Sequence, residues 1–476
     1  MTSRRQLGLG VEWLVEVPGL PCPPPKAGPA AAGYAAVKLL EERARLLRPG
    51  FLTGADLEGT ARVCRLVSGV PLAIELAARW VRSARPAAAA RERAATTFTI
   101  SEVYWVRDEH LAVLPSSIRS LNEAERAGEL DLTVRAQAGL GMVLGTAGFR
   151  RHARRHIRAA RAAAERTGNP ITVCWVGIMS ALHGMGAGDW AAVDAGTARA
   201  LAMRDETPMY RWADELLLAS AVAWYLAGRH ERAAAAAAEG MAAGAGRRDP
   251  VVHLWGLLVL METTLRTDPG DPVLPGWHSE AVRLLPKANR VDAARAHVVA
   301  ARLHLAAGRS EQAWQAVRAA DDLVGAGPSF EQYALEAHAG VPEICLELLE
   351  LGGEHPGPAE LRATAAGSAR RLRRYARRFP MAMPRALVCL GWSAWLDGRT
   401  RGARRTWARA AREAERLRMP YELARAHEEL GRHLAAGQRS PLGLDGPEHR
   451  ERAIAGFRAI GCGTGTRSLP GLPVRT

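Results

Sequence analysis

Small and apolar residues recur with helical spacing after a series of glycines in this chain of 476 residues. After Gly148 they stand five, nine and twelve positions further on, at Ala153, Ile157 and Ala160, and the same offsets recur after two later glycines. Residues spaced i, i+4 and i+7 lie on one side of an α-helix, where they can pack against a neighbouring element. The pattern therefore predicts helices that start just after these glycines and bury one face.

The glycines that precede these helices are themselves regularly spaced. Five of them stand in similar turn sequences: Gly148, Gly188, Gly228, Gly308 and Gly398. The first three are 40 residues apart, the fourth follows the third by 80, and the fifth follows the fourth by 90. A further turn is therefore expected at Asp268, and an insertion is expected in the Gly/Pro-rich segment 352–358. Small residues seven positions before a turn glycine, such as Gly141 and Ala301, would let two antiparallel helices approach closely.

These helix–turn–helix units resemble tetratricopeptide repeats, which carry a small residue on the first helix and an alanine–aromatic–alanine series on the second. The period here is nearer 40 than the usual 34 or so, and the closing proline of a unit is mostly absent or displaced, as at Pro420. We predict an all-α fold: an α-α superhelix of degenerate tetratricopeptide-like repeats over 121–461, followed by a disordered tail at 462–476.

The first 95 residues have a different organisation. A proline cluster at 18–29 precedes predicted helices at about 34–47 and 56–67, and a third helix is expected in the sequence GVPLAIELAA from Gly69 to Ala78. Pro71 suits the first turn of a helix, where its missing N–H is not needed. From the residues alone, this segment is a buried helix entered through a rigid corner. The Ala/Arg stretch Ser83–Ala95 is expected to be a linker, and 96–120 has no clear pattern.

The segment GVPLAIELAA also resembles the Gly-x-Pro-Leu motif of signal-transduction ATPases with numerous domains, the NB-ARC-like group. Thr2-Ser3-Arg4 resembles the Thr-Ser-Arg sequence that ends a core strand in that group, and 377–434 is similar to the helical tails of large bacterial cyclase or kinase regulators. The resemblance implies that residues 1–95 are the back half of an ATPase domain. It would place Arg4 near the γ-phosphate of a nucleotide.

The same resemblance would place Gly69, Pro71 and Leu72 against the adenine. A working P-loop ATPase needs the sequence GxxxxGK[ST] to hold phosphates and magnesium. The only lysines, Lys26, Lys38 and Lys287, stand in other contexts. We therefore expect a mostly helical remnant that cannot hydrolyse ATP, with vestigial nucleotide contacts, no cofactor and no metal.

Composition supports a helical, intracellular protein. Alanine dominates the apolar residues, and aromatic residues make up only 5%, which favours helices over strands. The six cysteines are widely separated and show no metal-ligand spacing. No signal peptide is recognisable, and no apolar run approaches the roughly 18 residues of a membrane span. We expect a soluble, cytoplasmic protein.

The formal charge of +15 comes almost entirely from arginine. Because arginine is abundant along the whole chain, nucleic acid is not an expected partner. The densest basic run, Arg370–Arg378, would surround Tyr375 with arginines and could bind an acidic peptide or phosphates, but a solvated outer face explains it better. The same holds for His152 and His156, which lie among arginines; His427 and His433 are six residues apart and do not share a helix face.

The sequence contains no GxSxG motif, no clustered catalytic carboxylates and no Gly-rich dinucleotide turn. Six tryptophans of the repeats fall at packing positions or beside turns: Trp190, Trp224, Trp314, Trp392, Trp395 and Trp407. Most of them are expected in the core, and one or two are expected in a concave groove. The predicted function is a non-enzymatic helical-repeat scaffold for protein–protein interaction in bacterial signalling, with a protein or peptide on the concave surface. The alternative is an ATP-dependent signalling regulator that needs a missing P-loop segment.

Overall fold

A computed structural model of the chain describes residues 19–25, 27–47, 57–78, 86–106, 109–203, 210–352 and 357–463. Within these ranges the regular structure is entirely helical, with 21 α-helices and five short 3-10 segments. The fold is therefore all-α, as the alanine-rich composition predicted.

The N-terminal third contains seven of the α-helices: α1 (Ala35–Leu47), α2 (Leu57–Leu66), α3 (Pro71–Ala78), α4 (Pro86–Val106), α5 (His110–Ala127), α6 (Leu130–Thr146) and α7 (Arg150–Ala164). The middle of the chain contains α8 (Pro170–Ala187), α9 (Trp190–Ala202), α10 (Tyr210–Leu226), α11 (His230–Gly246), α12 (Pro250–Thr267), α13 (Leu274–Leu284), α14 (Arg290–Ala306) and α15 (Ser310–Gly325). The last six are α16 (Leu335–Leu351), α17 (Pro358–Arg378), α18 (Met383–Leu396), α19 (Thr400–Arg416), α20 (Pro420–His433) and α21 (Gly446–Ala459). The 3-10 segments are Gly28–Gly33, Glu165–Thr167, Leu285–Lys287, Gln332–Ala334 and Pro380–Ala382.

The chain divides into two compact units, and each has its own core. One is drawn from Met1–Val103 and Arg119–Leu132, and the other from Tyr104–Ile118 and Thr133–Thr476. In the first unit, helices α1, α2 and α3 pack around buried residues that include Val37, Cys64 and Ile74. The three helices predicted in this region are therefore present, with bounds close to those expected.

The segment expected to be a linker is helical instead. Helix α4 covers most of the Ala/Arg stretch and continues to Val106, and α5 follows from His110. The prediction at 83–95 was wrong from Pro86 onward, because a run of alanines and arginines has high intrinsic helix propensity. A proline at the first helical position then gives this run a defined start.

The second unit contains the repeat array, in which consecutive helices form antiparallel pairs. All five predicted turn glycines end a helix with φ between 70° and 93°, a backbone region that glycine enters without steric cost. The turn expected at Asp268 is present, because Asp268 caps the end of α12. Gly352, with φ of 74°, separates α16 from α17 at the predicted insertion. The prediction of helix–turn–helix units is confirmed.

Small residues bring the two helices of a pair together. A Cβ atom at Gly141 would lie 2.9 Å from the Ile157 side chain, and one at Gly391 would lie 2.4 Å from Nε1 of Trp407. Both distances are shorter than real Cβ contacts, so only glycine permits this approach. Trp407 is fully buried as a result.

The array curls until distant repeats touch. The indole N–H of Trp190 donates to the carbonyl oxygen of Leu417 at 2.7 Å, and Nδ1–H of His230 donates to that of Ile460 at 2.9 Å. Cys462, which lies in the predicted disordered tail, is buried and its Sγ lies 3.7 Å from Nδ1 of His230. That part of the prediction was wrong at Cys462, and 464–476 lies outside the described residues.

One helix of the array has the length and composition of a membrane span. Helix α8 is an 18-residue segment with a mean hydropathy of 1.3, and 67% of it is buried within the protein. The expectation that no apolar run approaches this length was therefore wrong. Its burial accounts for its apolar character, since a helix surrounded by other helices is apolar on every side.

Candidate functional site

A network of buried charges runs along the first helices of successive pairs, from α10 to α20. We call it the inner network; it joins five arginines, five carboxylates and two tyrosines: Tyr225, Glu262, Arg266, Asp292, Arg295, Arg302, Glu336, Glu343, Arg385, Tyr421, Glu422 and Arg425. The side chain of Arg302 is partly exposed at the edge of the network, and the side chains of the other members are buried. Charges in such a place are tolerated only when they are paired and hydrogen-bonded.

Arg266 lies between two aromatic rings. Its guanidinium carbon is 3.8 Å from the ring centre of Tyr225 and 3.7 Å from that of Tyr421. It donates to Oε1 of Glu336 at 3.0 Å, and the hydroxyl of Tyr225 donates to the same oxygen at 3.1 Å. Two rings and one carboxylate thus surround the buried planar guanidinium, while its Nη1 has no hydrogen-bond partner among the described residues.

Arg385 holds two carboxylates at once. Its Nε and one terminal nitrogen donate to the two oxygens of Glu343 at 2.7 and 2.8 Å, and the other terminal nitrogen donates to Glu336. Although burial alone would raise it, the neighbouring Arg385 and Arg266 hold the pKa of Glu336 at about 2. Glu336 is therefore ionised at neutral pH and belongs to a paired, structural network.

Arg295 forms a second bidentate pair at one end of the network. It donates to both oxygens of Glu262 at 2.9 and 2.8 Å and to Asp292 at 3.1 Å. Bidentate arginine–carboxylate geometry is strong and directional. The arginines of the inner network thus already have carboxylate partners within the chain.

A separate cavity of about 220 Å³ lies in the second unit; we call it the aromatic pocket. Its walls include four aromatic side chains, Trp105, Trp212, Trp255 and Tyr333. The rings of Trp255 and Tyr333 have centres 4.6 Å apart. Large, rigid aromatic surfaces around a concave space are typical of sites that bind an apolar group.

Polar groups surround the aromatic walls of this pocket. Glu215, Glu331, Asn289 and Arg290 line it. The guanidinium of Arg290 is already engaged, because it donates to the carbonyl oxygens of Leu323, Gly327 and Pro328 at 2.8, 3.3 and 3.0 Å. The other charged groups of the lining are the carboxylates of Glu215 and Glu331, and Oε2 of Glu331 accepts from the backbone N–H of Phe330 at 2.9 Å.

The indole N–H of Trp255 is a second distinctive feature of the aromatic pocket. Trp255 is buried, and among the described residues its Nε1 has no hydrogen-bond partner. Buried indole N–H groups usually find an acceptor. Nε1 itself is closed to water, so this N–H is not among the groups that an occupant of the cavity would contact in this structure.

A third cluster, the arginine pocket, is a cavity of about 240 Å³ in the same unit. Four arginines and one histidine line it: Arg150, Arg154, Arg378, Arg416 and His183. It shares Gln332 with the aromatic pocket, so the segment between α15 and α16 contributes to both. Unlike the inner network, it has no carboxylate among the described residues that line it.

The residues assigned to nucleotide contacts lie in the first unit. Gly69, Pro71 and Leu72 share the turn that opens α3, and Gly69 has φ of 68°. The carbonyl oxygen of Gly69 accepts from the backbone N–H of Leu20 at 2.8 Å, while Leu72 is 60% exposed. Arg4 lies outside the described residues. The turn is thus packed against the 19–22 segment, and its role in nucleotide binding stays a prediction.

The basic run on α17 places its residues on two faces. Tyr375 is buried, and its hydroxyl donates to the carbonyl oxygens of Glu331 and Gln332 at 2.9 and 2.8 Å. Arg373 and Arg374 are exposed. Tyr375 is therefore a core residue and not the centre of an arginine cluster, although Arg378 at the end of the run does reach the arginine pocket.

The histidines and tryptophans singled out in the sequence lie mostly as expected, with one unexpected pairing. His427 and His433 do not meet, but Nδ1 of His427 lies 2.7 Å from Nδ1 of His449, a pairing that no sequence spacing indicated. The described residues contain no group of three His, Cys, Asp or Glu side chains that could hold a metal ion. Among the six tryptophans assigned mainly to the core, five are buried and Trp395 is half-buried.

The tryptophans of the aromatic pocket were missed, although the sequence holds a signal for one of them. Trp255 stands six residues after Asp249, the first residue of the Asp249-Pro250 pair that starts α12. Trp175 stands six residues after Asn169, the first residue of the Asn169-Pro170 pair that starts α8. The two tryptophans are two repeat periods apart, and the ring of Trp175 packs edge-on against that of Trp212 at 5.4 Å. A search for tryptophans at equivalent positions near helix starts would have found Trp175 and Trp255.

Comparison with known proteins adds likeness only to solved structures. No protein-family model and none of the curated proteins compared matches the chain. One solved structure that it resembles is described as "Circular tandem repeat protein with novel repeat topology and enhanced subunit contact surfaces". The identity is 14%, the alignment covers 89% of this chain and 96% of that chain, and the TM-score is 0.15. At that score the likeness carries no argument about function.

Proposed function

We propose that the protein is a non-enzymatic helical-repeat scaffold that binds a segment of a partner protein at the aromatic pocket. The observation that carries this proposal is the wall of the cavity, which is built from four aromatic side chains, Trp105, Trp212, Trp255 and Tyr333. Concave sites with such walls bury most of the surface of an apolar group.

The lining indicates the chemistry of the inserted segment. Trp105, Trp212 and Tyr333 offer ring faces for an aromatic or long aliphatic side chain, and such anchors contribute most of the affinity of protein interfaces. Glu215 and Glu331 favour a basic residue beside that anchor. We therefore propose a partner segment that combines one aromatic or aliphatic residue with a neighbouring lysine or arginine.

The test uses a random twelve-residue peptide library displayed on phage and selected against the full chain. Selected peptides are expected to share an aromatic or aliphatic residue next to a basic one. Trp212→Ala should weaken their binding by about 2 kcal/mol or more, as for interface hot spots. Trp255→Phe, which replaces the indole of the cavity wall by a smaller ring, should weaken it by about 1 kcal/mol.

Leu351→Ala is the matched control, since Leu351 is an exposed apolar residue at the end of α16 outside the pocket. It should bind the selected peptides as the unaltered chain does. Failure to select any peptide would overturn the proposal. So would selected peptides that bind equally well to the Trp212→Ala and Trp255→Phe variants.

The location and setting of this function belong to the same proposal. A bacterial signalling role is supported by the resemblance of 377–434 to helical tails of cyclase or kinase regulators. A cytoplasmic location is supported by the six cysteines, all of which are free thiols in the structure.

The alternative, an ATP-dependent signalling regulator, rests on the resemblance of Gly69–Ala78 to a nucleotide-contacting motif. Neither the helices nor the comparisons add support to it. ATP with magnesium should not stabilise the chain through this region, so Leu72→Asp should leave any thermal shift with ATP unchanged. A shift that disappears in the Leu72→Asp variant would overturn the non-enzymatic proposal.

A further inference from the structure

Two basic segments more than 200 residues apart in sequence meet at the arginine pocket. The first two turns of α7 supply Arg150 and Arg154, and the last residue of α17 is Arg378. Arg150 donates a hydrogen bond to the carbonyl oxygen of Arg377, which joins the two segments directly. The fold thus gathers positive charge from separate repeats around one cavity.

Little negative charge in the protein opposes these arginines. Arg378 donates to the carbonyl oxygen of Ser329 at 3.4 Å, and Arg416 pairs with Glu413 at 2.7 Å on its own helix. Arg154 makes no ion pair or hydrogen bond with any described residue. Four guanidinium groups around a cavity repel one another unless an anion lies between them.

The backbone around the cavity adds to the positive potential. Helix α7 begins at the pocket with Arg150, its N-cap Phe149 makes no side-chain cap among the described residues, and its first turn reads Arg-Arg-His-Ala. The free N–H groups of a helix N-terminus and its dipole both attract anions. Here the dipole of α7 adds to the charge of the lining guanidinium groups, while the backbone N–H of Arg150 is already bonded to the carbonyl oxygen of Gly148 at 3.0 Å.

Gly145 leaves the space that the imidazole of His183 occupies in the cavity wall. A Cβ atom at Gly145 would lie 2.6 Å from Nδ1 of His183, so glycine is what allows the imidazole to sit there. Burial, and then the positive charge of Arg154, lowers the pKa of His183. His183 is therefore neutral at pH 7 in the empty pocket and can respond to an anion.

We propose that the arginine pocket binds a soluble small molecule through a phosphate group. A tetrahedral dianion can accept several hydrogen bonds from planar guanidinium groups, which suit phosphate better than any other side chain does. The cavity is recessed and of limited volume, whereas nucleic acid is bound along extended basic stripes. A compact phosphate group therefore fits it better than a polynucleotide.

The test measures thermal stability and binding heat of the full chain with inorganic phosphate and with pyrophosphate, at constant ionic strength set with sodium chloride. Both anions should raise the melting temperature, and pyrophosphate should bind more tightly because it presents more charge. Nuclear magnetic resonance of labelled histidine should show the pKa of His183 rising when either anion binds, since added negative charge favours the protonated ring.

Charge-reversal variants locate the site. Arg154→Glu and Arg378→Glu should each weaken pyrophosphate binding by about tenfold or more, because each removes a charge-assisted hydrogen bond. Arg374→Glu is the control: it makes the same change in net charge at an exposed position of α17 outside the cavity lining. It should bind pyrophosphate as the unaltered chain does.

Three outcomes would overturn the proposal. One is the absence of any stabilisation or binding heat with either anion. Another is a loss of binding in Arg374→Glu as large as in Arg154→Glu, which would indicate general surface charge. The third is binding of a DNA duplex with higher affinity than pyrophosphate and equal sensitivity to all three variants. A thermal shift with ATP that disappears in Arg154→Glu but persists in Leu72→Asp would support the pocket.

Discussion

The inner network and the arginine pocket are two clusters of arginines in the same repeat array, and they differ in what surrounds them. In the inner network, Arg385 is 2% exposed and donates to the carboxylates of Glu336 and Glu343. In the arginine pocket, Arg154 is exposed and meets no carboxylate among the described residues. The first cluster is paired with carboxylates inside the chain, whereas in the second Arg416 pairs with Glu413 and Arg154 has no such partner among the described residues.

This difference separates a structural use of arginine from a binding use. A buried arginine must be paired, because an unpaired charge in the interior costs several kcal/mol. An exposed arginine has no such need, and Arg154, which is exposed and lines the cavity, makes no ion pair with a described residue. The net charge of +15 does not reveal this, since it counts both kinds alike.

The largest expected effect comes from breaking the inner network at Arg385. Arg385→Met should lower the free energy of unfolding by about 3–5 kcal/mol, because it leaves Glu343 and Glu336 as buried carboxylates without their main partner. Chemical denaturation of the full chain measures this change. Arg374→Met on the exposed face of α17 should change stability by no more than about 0.5 kcal/mol. Equal effects of the two variants would show that pairing in the inner network does not matter.

The acid stability of the array should depend on Glu336. Its pKa of about 2 in the folded protein is below the value of about 4.3 expected when unfolded. The folded state thus binds fewer protons, so the stabilisation is present above about pH 4.3 and is lost as the pH falls towards 2.

Glu336→Gln removes this titration and tests the assignment. At neutral pH the free energy of unfolding of the variant should be lower by on the order of 3 kcal/mol. Between pH 4.3 and 2 it should fall less steeply than that of the unaltered chain. Thermal unfolding followed across this pH range gives both quantities. Glu415→Gln, at an exposed position of α19, should keep the acid response of the unaltered chain. An unchanged slope in Glu336→Gln would contradict the role of Glu336.

The repeat architecture could be predicted because its signals are local. Gly148 and its counterparts end helices with a positive φ, and the apolar spacing that follows them depends only on the geometry of one helix. The inner network could not be predicted this way. Arg266 and Glu422 are brought within 3.6 Å by the curl of the whole array, and nothing in the sequence near either residue indicates the other.

The sequence indicated only one of the two basic segments that form the arginine pocket. The run Arg370–Arg378 was noted as a possible phosphate-binding segment, and the basic start of α7 was interpreted as a solvated face. Their meeting depends on how α7 and α17 are placed by the intervening repeats, which no pattern within either segment specifies. Charge runs therefore need the fold before a binding site can be distinguished from a surface.

Removing one charge from the arginine pocket should affect stability far less than the change at Arg385. Arg154→Gln should change the free energy of unfolding by no more than about 0.5 kcal/mol, and relief of repulsion favours a small gain. Chemical denaturation in a buffer without phosphate measures it. A loss of more than about 1 kcal/mol would mean that Arg154 has a structural partner and would weaken the contrast between the two clusters.

The smallest expected effect is on His183 in the same Arg154→Gln variant. Because Arg154 is the second cause of the lowered pKa, after burial, its removal should raise the pKa of His183 while leaving it below 6.5. A histidine with a lowered folded pKa is protonated first in the unfolded state, so stability falls as the pH drops below about 6.5. That fall should be shallower in the variant. Histidine-resolved nuclear magnetic resonance measures the pKa directly, and an unchanged value would show that the field of the arginine cluster does not reach the cavity wall.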